Sequence, residues 1–217
     1  MLLYYGGMQF NSHCQECSRL TVFLKDIKEK HPDYHCAPVP PFGDGEAQLL
    51  IVGLAPGMHG ANATGRPFTG DHAGILLYQT LYDFGFSNQP ISVSADDDLE
   101  LKNCRITNAV KCLPPANKPK GEEVRQCNHY LQAELESLPE KSIVLALGKI
   151  AHDAVIRACG RKLSEFRFAH AAEHKPNEKL ILLDSYHCSR YNTQTKRLTT
   201  KMFADIFVRA REFVADD

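Results

Sequence analysis

No apolar run in this 217-residue chain approaches the ~20 residues of a membrane-spanning helix, so none of it reads as a span. The first residues, MLLYYGGMQFNSHCQEC, lack a basic segment followed by an apolar core of leader length, and a cytosolic protein is expected. Neither sign of charge is in excess. Lys and Arg number 25, Asp and Glu 26, and the net charge of −1 excludes a wholesale polyanion binder. No Gly-Lys-Ser/Thr follows the long glycine-rich loop, which excludes a Walker phosphate loop, and no Gly-x-Gly-x-x-Gly turn enters a helix. His-x-Glu with Pro-Cys-x-x-Cys is absent, which excludes the zinc deaminase pattern. There is no repeat, no low-complexity tract and no second domain, so one domain over residues 1–217 is expected.

What is present is ordinary for a soluble α/β protein, with 43% apolar and 24% charged residues on a chain long enough for a sizeable core. Four short apolar runs, at 49–54, 105–110, 142–147 and 180–185, are bounded by Gly, Pro or polar residues and predict buried strands. Helical spacing predicts helices over 73–85, 121–138, 148–160 and 199–214, the second with acid in its first turn. Alternation of the two predicts a three-layer α/β/α sandwich around a central four-stranded parallel sheet.

Ligands of such sheets bind outside the carboxyl ends of the strands. Three loop-like segments, each overlapping or following a predicted strand, are locally basic. Arg66 lies in Gly53–Gly70; Arg105, Lys111, Lys118 and Lys120 lie in 105–120; Arg190, Lys196, Arg197 and Lys201 lie in 186–203; none of the three segments holds an acid. Their convergence on one rim would hold phosphates.

Eight cysteines in a cytosolic chain of this size argue against disulfides. Cys14-x-x-Cys17 has metal-ligand spacing, and Cys112 and Cys127 flank a Pro-rich loop near a helix start. Four thiolates suit an iron–sulfur cluster or a structural zinc; two buried small residues and an unrelated pair are the other possibility. Cys104 and Cys159 fall on apolar faces and read as core.

The segments GLAPG, GRPFTGD, ITNAVKCLPPANKP and SYHCSRYNTQTKRLT, in that order, with Cys14 and Cys17 before them and Cys127 after, resemble the uracil-DNA glycosylase superfamily, specifically its iron–sulfur type-5 branch. The resemblance covers nearly the whole chain. It implies a four-stranded parallel sheet between helices and a [4Fe–4S] cluster on Cys14, Cys17, Cys112 and Cys127. It also implies excision of uracil and related deaminated or damaged bases from DNA, by a monomer acting in the prokaryotic cytoplasm with the nucleoid.

An enzyme of this kind takes the base out of the stack into a close-fitting pocket. Small residues at Gly53, Ala55 and Gly57 would let backbone approach the nucleotide. The resemblance implies that Leu54, Ala55, Gly57, Phe68 and Asn108 bind the base, Phe68 by stacking and Asn108 through an amide suited to a pyrimidine edge. It implies DNA contacts from Arg66, Lys118, Ser189, Arg190 and Tyr191. Many superfamily members carry Asp, Asn or Glu where this chain has Leu54, a departure that marks the type-5 branch and removes the usual catalytic group. Asp71 is the remaining carboxylate of the loop; locally it also reads as a helix N-cap. His187 matches the histidine that donates to the base oxygen, with Cys188 where the family commonly has proline. Asn117 is a further catalytic candidate, and His59 and Asn62 are candidate pocket residues. An iron–sulfur protein of this fold that binds nucleic acid without excision stands as the alternative.

Overall fold

A computed structural model describes residues 4–5 and 8–214. In chain order the elements are β1 (Tyr4–Tyr5), β2 (Met8–Gln9), α1 (Ser18–Lys30), β3 (Phe42–Gly43), β4 (Leu49–Gly53), α2 (Ala61–Thr64), α3 (His72–Asp83), β5 (Cys104–Asn108), α4 (Gly121–Ser137), β6 (Ser142–Leu147), α5 (Lys149–Ala158), β7 (Glu173–His174), β8 (Leu180–Ser185), α6 (Arg190–Gln194) and α7 (Thr200–Arg211).

The four apolar runs become β4, β5, β6 and β8, which pair in parallel in the order β5-β4-β6-β8. Side chains alternate across the sheet, so each strand feeds two cores. Leu49, Ile51, Ile106, Leu145 and Leu183 pack under α3 and α7. Leu50, Val52, Val144, Ala146 and Leu182 pack under α1, α4 and α5. Burial on both faces is why these runs are continuously apolar rather than alternating.

The sheet has six strands, two more than the runs predict. β3 pairs antiparallel with β5 at one edge and β7 antiparallel with β8 at the other. Two-residue strands are too short to show a period, and only pairing to a neighbour defines them. Gly43, at φ +115°, passes so close to β5 that a Cβ would overlap the Cys104 carbonyl oxygen.

Helix starts are set by local side chains. Asp71 Oδ1 accepts the Gly74 N–H at 2.9 Å to cap α3, and Thr199 Oγ1 accepts the Met202 N–H at 3.2 Å to cap α7. Glu122 and Glu123 sit at the positive end of α4. α1 begins directly after Cys17, which occupies its N-cap position. Cys104 is core as expected, whereas Cys159 lies half-buried at the end of α5.

Candidate active site

The carboxyl ends of β4, β5, β6 and β8 open onto a cavity of about 730 Å³, within the usual range for a small-molecule site. The loop after β4 forms one wall, including Leu54, Ala55, Gly57, His59 and Asp71. Gly53 ends β4 opposite Asn108 of β5. A Cβ on Gly53 would overlap Asn108 Oδ1 and lie 2.7 Å from the Phe68 ring, so the missing side chain is what lets both lie across the strand end. Asn108 is buried and lines the cavity.

Phe68 is buried at φ +56°, a strained conformation for an aromatic residue. Two neighbours hold it there. The Tyr78 hydroxyl donates to the Pro67 carbonyl at 2.8 Å, and the bare Gly74 gives the Phe68 carbonyl room. The Phe68 ring faces that of His187, centroids 5.9 Å apart and planes 25° from parallel.

Asp71 caps α3 and lines the cavity at once. Its second oxygen, Oδ2, lies against the bare glycines of the loop: a Cβ on Gly57 would sit 3.4 Å from it and one on Gly60 2.8 Å. Burial raises its pKa, opposed by the N–H groups of Gly74 and Ala73 and by His72. Burial pushes His187 the other way, down to about 4, so the imidazole is neutral at physiological pH and retains an N–H to donate. Where proline would fix the backbone after His187, this loop has other anchors. Cys188 is fully buried, Asn192 Nδ2 donates to the His187 carbonyl at 2.8 Å, and Ser189 caps α6.

Asn117 reaches the cavity from the Pro-rich loop after β5, where Ala116 and Asn117 both take φ +55°. Ser189 and Arg190 line the mouth, and Tyr191 stands beside them, 71% exposed. Lys118 is exposed next to Asn117.

Arg66 needs correction as a DNA contact. It is buried, its guanidinium paired with Asp97, donating to Ser92 Oγ at 3.1 Å and the Ala95 carbonyl at 2.8 Å, and lying 4.3 Å over the Phe42 ring. Arg105 and Lys111 are buried too, so the basic rim is narrower than the residue count implied. Lys111 pairs with Glu134 at 2.6 Å inside the core. Asn62 is fully buried behind the loop, donating to Cys36 Sγ at 3.4 Å, and is not among the cavity residues.

The wall made by Leu147, Gly148, Lys149 and Ile150 was not anticipated. The β6–α5 connection is a single glycine at φ +97°, without charge or length to mark it as a loop. Its one signal was Gly between a strand pattern and a helix pattern.

Cys14, Cys17, Cys112 and Cys127 line one narrow cavity bounded by α1, the β5–α4 loop and α4. Burial raises the pKa of the Cys17, Cys112 and Cys127 thiols, and neighbouring cysteine sulfurs add to the rise at each. The Lys111 N–H donates to Cys127 Sγ at 3.4 Å. Four thiols converging on one cavity have the chemistry of a thiolate ligand set, suited to an iron–sulfur cluster with one cysteine per iron or to a structural zinc. The same elements are pinned independently by Arg19 of α1, which grips Glu123 of α4 through Nε at 2.7 Å and Nη2 at 2.8 Å.

The fold and this pocket define a class: the chain belongs to the uracil DNA glycosylase superfamily, whose family model matches residues 40–211. Within it the chain is similar to the type-5 uracil-DNA glycosylase of Thermus thermophilus, 43% identical over 91% of this chain and 92% of the relative. It is similar also to those of Pyrobaculum aerophilum, 39% identical over 91% and 88%, and Mycobacterium leprae, 39% identical over 93% and 91%.

Proposed function

We propose that the chain hydrolyses the N-glycosidic bond of uracil in DNA, the activity named for its relatives, and so starts base excision repair. The observation that supports this best is the meeting of Asn108, Phe68, Asp71 and His187 in one cavity at the strand ends. A flipped uracil offers its Watson–Crick edge to the Asn108 amide and a face to Phe68. As the bond breaks, the electron pair leaves with the base and positive charge grows on the sugar. Neutral His187 donates a hydrogen bond to the base oxygen that gains charge. Asp71 stabilises the sugar cation or orients the water whose hydroxyl adds to the sugar carbon and whose proton ends on the departed base anion, with Asn117 assisting. Leu54 makes no polar demand on the base, which supports a pocket that admits hypoxanthine and other deaminated bases besides uracil. To Lys118, Ser189, Arg190 and Tyr191 we assign the duplex backbone and the gap left by the base, a reading supported by the exposure of Lys118 and Tyr191 and by Ser189 and Arg190 lining the cavity.

Cys14, Cys17, Cys112 and Cys127 would hold a [4Fe–4S] cluster. When bound it supplies a covalent cross-link between α1, the β5–α4 loop and α4, with no open iron position for chemistry. One sheet shared by both cores supports a single-domain enzyme, and we extend the reading to a monomer acting beside the chromosome. Among the described residues no helix is long and apolar enough to cross a membrane.

The test is incubation of the purified protein with uracil-containing duplex, followed by detection of abasic sites. Abasic sites are expected. Tight binding without them would leave the non-excising nucleic-acid-binding alternative.

A further inference from the structure

Behind the pocket wall lies a buried polar cluster that the chemistry above does not use. Asp184 of β8 is fully buried, with Oδ1 2.8 Å from His152 Nδ1 and Oδ2 3.2 Å from His174 Nε2. His152, of α5, is also fully buried, and its other nitrogen, Nε2, lies 3.2 Å from the Phe166 carbonyl oxygen. A carboxylate and a carbonyl both accept. A ring that faces one through each nitrogen donates through both, and an imidazole that does so is the imidazolium.

The position of the pair matters more than its strength. Asp184 lies three residues before His187, at the end of the strand that delivers it. His152 lies one turn into α5 and donates its backbone N–H to Gly148 at 3.1 Å. Gly148 donates in turn to the Ser185 carbonyl at 2.8 Å, and a Cβ on Gly148 would sit 3.6 Å from His187 Cβ. The His152–Asp184 bond therefore ties the start of α5, which forms one pocket wall, to the end of β8, which leads into the adjoining His187 loop. The segment 166–174 closes the arrangement from behind. Asp184 exchanges backbone bonds of 2.9 Å with Ala171 and Ala172, and the Tyr186 N–H donates to His170 Nδ1 at 3.2 Å.

We propose that His152, as an imidazolium bonded to Asp184 with His174 behind it, is a positioning residue for excision: it sets the direction in which the His187 loop leaves β8 against the Gly148 wall. It touches neither substrate nor reacting atoms. The proposal rests on the excision reading above.

The groups that face His152 are Asp184 from β8, His174 from β7, the Phe166 carbonyl and the Phe168 ring edge from the 166–174 segment, and Asp153 from its own helix. Burial pulls its pKa down, but the bond to Asp184 and that carboxylate's charge, with the Phe166 carbonyl and Asp153, carry the net shift upward. A raised folded pKa means that His152 stays an imidazolium above the ordinary imidazole range; the stability this contributes is fully present below that range and is lost as pH rises through the folded value. Above it, His152 gives up one of its two donors.

The experiment pairs two measurements on the wild-type holoprotein. Ring ¹⁵N shifts of His152 are followed by NMR from about pH 6 to about pH 10, a span that brackets the imidazole range. Single-turnover excision of uracil from saturating duplex is followed over the same span. The proposal expects both His152 nitrogens protonated at neutral pH and a fall in excision of roughly 10- to 100-fold at the pH where His152 titrates, with DNA affinity unchanged. Asp184→Asn should be slow and flat over that span, with wild-type binding; if that variant does not fold, the wild-type comparison decides alone. A neutral His152 at neutral pH, a divalent ion held by the three side chains, or an excision rate indifferent to the His152 transition would overturn it. Wild-type protein that leaves uracil in place would sink the excision reading and this one together, whereas excision with a neutral His152 would sink only this one.

Discussion

Gly53 shows how much of the pocket depends on one missing side chain. A Cβ there would overlap the Asn108 amide and crowd the Phe68 ring, displacing both groups assigned to the base. Gly53→Ala should cost roughly 1–3 kcal/mol of stability by overpacking, yet slow uracil excision about 100-fold through misplacement. Thermal melts beside single-turnover rates separate the two effects. His187 makes a second residue-scale prediction. Its folded pKa, about 4, lies below the ordinary imidazole value of ~6.5, so between those limits the unfolded chain binds a proton that the folded chain does not. Stability should therefore fall as pH drops through that window, by at most about 3 kcal/mol from this group. His187→Asn should flatten that part of the curve of melting temperature against pH; an unchanged curve would show that His187 is not held neutral by burial.

At the scale of elements, α3 separates two roles of Asp71. Asn caps a helix as well as Asp does, but it carries no charge. Asp71→Asn should melt within about 0.5 kcal/mol of wild type and excise roughly 10²–10³-fold more slowly, while Asp71→Ala should also lose about 1 kcal/mol of stability. Wild-type excision by Asp71→Asn would leave Asp71 as a cap alone and pass the role to Asn117. The central strands and major helices were legible in the sequence because each is long enough to show its period. β3, β7 and the single-residue turn at Gly148 were not, since they are defined by what they lie against.

At the scale of the whole molecule, the cysteine set and the basic rim make separable predictions. The proposed cluster predicts a brown protein that Cys112→Ser bleaches and that melts at a lower temperature in that variant, because α1 and α4 would then be joined by contacts such as Arg19–Glu123 without the cluster. A fully coloured variant would remove Cys112 from the ligand set. Arg190→Ala and Lys118→Ala should each reduce by about 1 the slope of log affinity against log salt, because each displaces counterions from a phosphate. Arg66→Ala should leave that slope alone and destabilise the fold instead, since Arg66 is spent on Asp97. A slope lowered by Arg66→Ala would put Arg66 on the DNA path after all.

The sequence by itself determined the four parallel strands, their flanking helices, the glycine-rich loop and the order of the motifs, because periodicity and small residues are local properties. It offered Cys14, Cys17, Cys112 and Cys127 as one set without placing them together. Tertiary structure alone decided which charges face outward. Arg66, Arg105 and Lys111 read in sequence like Lys118 and Arg190, yet they are buried, because a cation's partner can lie anywhere in the chain: Asp97 is 31 residues from Arg66, and Glu134 is 23 from Lys111. Tertiary structure alone also brought His152, His174 and Asp184 within 4.8 Å of one another, since they come from three separate elements with no common spacing. Burial, which moves the His187 and Asp71 pKa values in opposite directions, exists only once the sheet and its helices have closed around the pocket.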